Sequence, residues 1–528
     1  MTGSLTAEQK IGQLIFARNP GDTPEQKAFV GQMLRNKSLG GVQVSVTPGS
    51  KRIIDGLKSR ADYPVLIGND MEKGYPGSDL GGFPMISLAA TDNPEYAYSF
   101  AKATAINARV NGYNTIWGPV VDLKRSNAPA SIDRKLGDSA EGVSKLAEQI
   151  CRAFYEAGIV CAAKHYPGGE DVPMDTHMAE GVSFLSEKEL LEADIQPYIR
   201  IDKSGYLSGI MTQHRRFVNI DGKYPASLSP KLHGIIRKQG FDGLIFSDSL
   251  AMMGIVQKFG ELECLVLAIN AGTDIVLPSY RLGLKQSYEY LVKAYREGRI
   301  SQARINEAYA RVRTAQLFTA KAPEFPLTVT DALLAHDRAV AKDCITEISR
   351  GAVPPPAKDE RRLFVVLTPQ NYGKAATVAA EINNSEWYYP KILEDKIAEE
   401  FPACEIVELS EFPTAEENDR LFYKAAGFSD VILVTYCKTS CYLGTDCLTR
   451  RVESVISALV ASDKVSALVH FGNPCAAEAL PYIPRIIFGY SAQKSLTYAI
   501  DVLAGNFSPK GKLPFRLKLH KEKYILDP

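Results

Sequence analysis

A chain of 528 residues is longer than one hydrophobic core usually organises and predicts two or three domains. Lys+Arg and Asp+Glu both count 61, so no net field draws the protein toward nucleic acid or an anionic membrane, and a neutral or mildly polar small substrate fits better. Nine cysteines, an odd number scattered along a long chain, exclude the disulfide framework of a small secreted domain and read as reduced thiols in a cytoplasm.

In chain order, Met1 to Phe16 opens with polar and charged residues and offers no apolar stretch of signal-peptide or membrane-span length, so the expectation is a cytoplasmic protein without an anchor. Over the first 320 residues short apolar runs alternate with longer helical patterns: Gly41–Ser45, Val65–Asp70, Thr115–Asp122, Val160–His165, Leu207–His214, Gly243–Asp248 and Asp274–Pro278. Seven visible strands, each followed by a helix, predict an eight-unit (β/α)₈ barrel with one unit poorly marked. Several runs stop at a polar residue, namely Asp70, Asp122, Lys164 with His165, His214 and Asp248. In such a barrel these carboxyl ends meet on one face, which carries the chemistry. No glycine fingerprint for a dinucleotide follows the first run.

Prolines in Lys321–Leu327 and Gly351–Pro356 flank a helical pattern near His336–Ser349 and mark a linker over residues 321–358. From Arg362 the β/α rhythm resumes with Leu363–Leu367, Val431–Thr435, Ala467–Phe471 and Ile486–Phe488, predicting a smaller three-layer α/β sandwich over 359–528 after a barrel spanning 1–320. Cys437, Cys441 and Cys447 lie close in sequence but have no histidine beside them, and read as packing rather than a metal site.

Two segments concentrate reactive groups. Lys164-His165-Tyr166-Pro167-Gly168-Gly169-Glu170-Asp171-Val172-Pro173-Met174-Asp175-Thr176-His177 holds six ionisable residues in fourteen, broken by proline and glycine into a strand-end loop. Phe246-Ser247-Asp248-Ser249-Leu250 ends an apolar strand in a carboxylate flanked by hydroxyls. Taken alone, Asp248 equally suits a helix cap, and His177 a loop histidine satisfied by Asp175.

Together the segments resemble the signatures of glycoside hydrolase family 3, closest to its bacterial β-N-acetylglucosaminidase branch, whose Lys-His-Phe-Pro-Gly-His-Gly-Asp, Asp-Ser-His and Ser-Asp-Asp-Leu runs are matched at Lys164, His165, Pro167, Gly168, Asp171, Asp175, His177, Ser247, Asp248 and Leu250. Gly68–Glu72, Trp117–Asp122, Asp133–Gly137, Met211–His214, Pro225–Ser229 and Ser508–Pro514 are similar to further family stretches in the same order. The resemblance implies a retaining, cofactor-free and metal-free hydrolase that removes β-linked N-acetylglucosamine from muropeptide fragments, chitin oligomers or a related glycan. It implies Asp248 as nucleophile, His177 as acid/base with Asp175 as its orienter, and Asp70, Arg134, Lys164, His165 and His214 lining the sugar subsite. The sequence departs from the pattern at Gly169 and Glu170, where His and Gly are expected, at Ser249, where a second Asp is expected, and at Met71-Glu72-Lys73-Gly74. A phosphorylase with the same residues and a silent glycan-binding protein are the competing readings.

Overall fold

The computed structural model describes residues 5–125, 132–171, 174–349, 353–368, 390–437, 447–491 and 493–520. They form two compact units, one built from Met1–Gly81, Ala97–Ala128 and Leu136–Leu334, the other from Gly82–Tyr96, Pro129–Lys135 and Ala335–Pro528. Two early stretches thus group with the second unit, which a boundary drawn along the sequence does not register.

The first unit is a parallel eight-stranded barrel: β1 Phe16–Ala17, β2 Gly41–Gln43, β3 Leu66–Asn69, β4 Thr115–Val120, β5 Val160–Tyr166, β6 Gly209–Thr212, β7 Leu244–Ser249 and β8 Ile275–Leu277, hydrogen-bonded in that order. It closes where Ile15 bridges Val276 and the Val276 N–H donates to Leu14 O at 2.8 Å. The unit missing from the sequence pattern is β1, which is only two residues long and leaves periodicity nothing to register. The strands are buried nearly throughout, as expected of a parallel barrel whose outer face is covered by helices and whose interior is packed. Phe16 plugs the interior edge-on, its ring 5.1 Å from Trp117 and 6.4 Å from Phe246, so the barrel is a packed core and its chemistry is confined to the rim. At the opposite end Asp274 is wholly buried, and Arg237, Arg304 and Arg311 close on it at 2.8, 2.7 and 3.4 Å. Burial pushes its carboxyl up despite the three guanidiniums, the signature of a structural ion cluster.

The second unit is a six-stranded mixed sheet in the order β9-β14-β13-β12-β10-β11, where β9 is Thr346–Ser349, β10 Leu363–Thr368, β11 Glu405–Ser410, β12 Val431–Cys437, β13 Val465–Gly472 and β14 Arg485–Tyr490. All pairs are parallel except β9 with β14. Helices Pro390–Glu400 and Leu496–Leu503 pack together, as do Ala415–Ala426 and Arg450–Ala461, giving the three-layer α/β sandwich. The helix expected near His336–Ser349 lies at Asp331–Asp343, and the residues after it pair as β9, where Thr346 and Ile348 are β-branched. The described cysteines are free thiols, and Cys441 of the group around Cys437 lies outside the described residues.

Candidate active site

Four strand ends deliver the charged residues of the site. Lys164, on β5, is buried to 3 % side-chain exposure and bridges two carboxylates from the β3 end, Asp70 at 2.6 Å and Glu72 at 2.5 Å. A buried ammonium is stable only with such partners, and the pair fixes its reach across the barrel mouth. The next residue, His165, receives Asp122 from the β4 end twice, at 3.0 Å on its backbone N–H and at 2.7 Å on ring Nδ1. A carboxylate only accepts, so Nδ1 carries the proton and Nε2 is turned to Asp248 Oδ2, 4.0 Å away.

Asp248 sits near the end of β7 with 17 % of its side chain exposed. Its Oδ1 accepts the Ser249 N–H at 2.6 Å, which leaves Oδ2 as the less committed oxygen. Burial pushes the carboxyl up, but the fields of His165, His214 and Lys164 and the Ser249 N–H outweigh it and hold the group at about 2. His214 is itself driven toward its neutral form by burial.

His214 is fully buried with both ring nitrogens engaged, Nε2 with Ser249 O at 2.9 Å and Nδ1 with Ser227 Oγ at 2.8 Å. A carbonyl oxygen only accepts, so Nε2 donates and Nδ1 takes the Ser227 hydroxyl proton. Through Ser249, His214 therefore braces the peptide that carries Asp248.

His177 lies in the loop after β5. Asp175 Oδ1 accepts its backbone N–H at 3.0 Å and its ring Nδ1–H at 2.7 Å, which fixes the orientation of the ring. The loop is latched to the start of the helix Met253–Phe259, five residues beyond Asp248, by Met253 N–H to His177 O and Gly254 N–H to Thr176 O, both 3.2 Å. Gly254 permits this approach, since a Cβ there would lie 2.8 Å from the carbonyl oxygens of Thr176 and Ala179.

Lys164 and His165 belong to β5, which runs to Tyr166, and the loop proper begins at Pro167. Its turn is held by buried Asp194, which accepts the Gly169 N–H at 3.0 Å and pairs with Arg125 Nη2 at 2.5 Å. Gly169, where the family pattern expects histidine, has φ +77° and a Cβ there would fall 2.7 Å from the Phe217 ring, so this turn packs only around glycine. Glu170 is partly exposed, and its charge adds slightly to the burial that raises the Tyr198 phenol.

The structure thus brings together Asp248, Asp70, Lys164, His165 and His214, and ties the Asp175–His177 loop to the segment following Asp248. Arg134 ends a short turn, Ile132–Arg134, that groups with the second unit. Sequence reasoning left out Asp122 as the partner of His165, Glu72 as the second partner of Lys164, and the Ser227 and Gly254 supports. Asp122 was visible as a strand-end carboxylate, but only the adjacency of β4 and β5 shows what it holds.

The model for the N-terminal domain of glycosyl hydrolase family 3 matches residues 6–315. The chain is 35% identical over 241 residues to a beta-hexosaminidase of Shewanella frigidimarina, an alignment covering 43% of this chain and 70% of that one. It is 25% identical over 333 residues to a beta-N-acetylglucosaminidase/beta-glucosidase of Cellulomonas fimi, covering 58% of this chain and spanning only 56% of that relative's length. Among solved structures, a family 3 beta-N-acetylglucosaminidase from Paenibacillus sp. superposes with a TM-score of 0.80 at 24% identity, over 98% of this chain and 100% of that one, and so shares its fold. Among the described residues no helix is long and apolar enough to cross a membrane. With the matched model covering more than half of its length, the chain belongs to glycosyl hydrolase family 3.

Proposed function

We propose that the protein is a retaining glycoside hydrolase that removes terminal β-linked N-acetylglucosamine from small glycans, acting in the cytoplasm. The observation that carries this reading is the opposite preparation of two groups: Asp248 is held ionised at about 2, while the His177 ring has its Nδ1–H fixed on the Asp175 carboxylate, which supports its protonated form. An ionised carboxylate suits nucleophilic attack, and an imidazole with a fixed tautomer suits proton transfer in both directions. The names of the curated relatives supply the sugar, and the thiol cysteines support the compartment.

In this mechanism Asp248 Oδ2 attacks the anomeric carbon while protonated His177 gives its Nε2 proton to the leaving oxygen. The neutral ring then takes a proton from water as that water hydrolyses the glycosyl ester, restoring both groups with net retention. Asp70, Lys164 and His165 bind sugar hydroxyls or the acetamido group, Arg134 is added to this set on the resemblance alone, and His214 acts through Ser249.

Hydrolysis of 4-nitrophenyl β-N-acetylglucosaminide beside the β-glucoside, with and without phosphate, tests the reading. Preference for the acetamido sugar, free N-acetylglucosamine as product and no response to phosphate are expected. A sugar 1-phosphate product would replace the hydrolase with a phosphorylase.

The latch at Gly254 yields a second expectation. In Gly254→Ala the added methyl pushes against the backbone of the His177 loop, so kcat falls roughly ten- to a hundredfold through misplacement of the acid/base. The thermal midpoint, measured alongside, moves by only a few degrees because the displaced loop is at the surface.

A further inference from the structure

The second unit holds a cleft of about 330 Å³ at the amino-terminal edge of its sheet. Arg362 and Asp430 directly precede β10 and β12, Ser466 is the second residue of β13, and Arg485 opens β14. These four strands are parallel neighbours, so their first residues share one edge, and all four of these side chains line the cleft. The remaining wall includes Pro354, Pro355 and Pro356, which bring C–H surface and no backbone N–H. The volume lies at the lower end of the ~300–1,000 Å³ of small-molecule sites.

Each of the four residues keeps one buried polar atom without a hydrogen-bond partner among the described residues: Arg362 Nε, Asp430 Oδ1, Ser466 Oγ and Arg485 Nε. Arg362 and Arg485 are only 1 % and 4 % exposed. Buried polar atoms are ordinarily paired, and a single exception carries little weight. Four around one cleft call for a ligand that brings both donors and acceptors.

The charges narrow the class of that ligand. Arg362 Nη1 pairs with Asp430 Oδ2, and its Nη2 donates to the Ala357 carbonyl at 2.6 Å and to Glu360 at 3.3 Å. Arg485 Nη2 donates to Glu347 at 2.9 Å and to Val502 O at 3.0 Å, and its Nη1 to Leu503 O at 3.2 Å. Both guanidinium charges are therefore matched by carboxylates, and an oxyanion would meet Asp430 with no surplus cation to hold it. A hydroxyl suits the set better, because it accepts from an Nε–H and donates to a carboxylate oxygen at once. Adjacent hydroxyls on one ring do this side by side, and the C–H face of the ring suits the prolines.

We propose that this cleft binds a neutral polyhydroxylated ring, a monosaccharide or cyclitol, whose hydroxyls bridge the Arg362 and Arg485 Nε–H groups, the Asp430 carboxylate and the Ser466 hydroxyl. The site belongs to the second unit and does not depend on the hydrolase reading.

Hydrogen exchange followed by mass spectrometry on the full chain tests it, with glucose, N-acetylglucosamine and myo-inositol titrated separately. Peptides covering residues 357–367 and 463–471 are expected to gain protection that saturates with at least one of the three. Ser466→Val fills the cleft and removes a hydroxyl that has no partner among the described residues, so the fold is expected to survive. In that variant the same protection should require roughly tenfold more ligand, while peptides around Asp248 respond as in the parent. Ser466→Ala, which removes the hydroxyl without adding bulk, should weaken the response in the same direction and serves if the valine disturbs folding. No protection of these peptides by any of the three compounds would overturn the proposal and leave water as the occupant. Equal titrations in the parent and both variants would overturn it too, as would protection by inorganic phosphate or glycine in place of the polyols.

Discussion

Asp248→Ala is expected to lower kcat on 4-nitrophenyl β-N-acetylglucosaminide by on the order of 10⁴-fold, with the protein still folded. The loss is this large because the neighbouring strand-end carboxylates are committed elsewhere: Asp70 and Glu72 are bound to Lys164, and Asp122 is bound to His165. The same carboxyl should be visible in stability. Its folded value of about 2 lies below the usual carboxylate range, so its stabilising contribution is fully present above about pH 4 and is lost as pH falls toward 2. At neutral pH that contribution is on the order of 2 kcal/mol, and Asp248→Asn should remove both it and its share of the acid limb in chemical denaturation. An acid limb unchanged in Asp248→Asn would show that the surrounding cations do not act on this group.

His177→Ala is expected to separate the two halves of the reaction. General acid/base groups contribute about 10²–10⁴-fold, and that full loss should appear with sugar leaving groups, whose departing oxygen needs a proton. With 4-nitrophenol the first step needs little protonation, so the covalent intermediate forms and then waits for a base. A burst of nitrophenol followed by slow turnover is the expected trace, and added azide, which needs no deprotonation, should restore the rate. Asp175→Asn should act in the same direction more weakly, because its amide oxygen can still accept the Nδ1–H while the charge that supports the protonated ring is lost. A variant with equal losses on both leaving groups and no burst would assign the proton transfer elsewhere.

Much of this site could be read from the chain because its residues stop the apolar runs. Asp70, Lys164, His165, His214 and Asp248 all sit at or beside strand ends, and a parallel barrel gathers such ends on one face. What stayed hidden depends on neighbours distant in sequence. Ser227 meets His214 only because a turn returns from the helical side, and Gly254 matters only because the His177 loop presses on it. His214 shows the limit of a motif: its position matches a sugar-lining residue, yet both ring nitrogens are spent within the protein. β1 escaped detection for a simpler reason, since two residues have no period, and its partner in closing the barrel is β8 at the far end of the domain. Likewise Gly82–Tyr96 reads as an ordinary part of the barrel in sequence order but groups with the second unit, a long-range choice that local patterning does not encode.

The most direct test is to quench the protein during turnover of a slow 5-fluoro-N-acetylglucosaminyl fluoride and measure its intact and peptide masses. One glycosyl adduct per chain, located on the peptide containing Asp248 and absent from Asp248→Ala, is the predicted result. Turnover without any adduct, or an adduct on another residue, would contradict Asp248 as the nucleophile of a retaining enzyme.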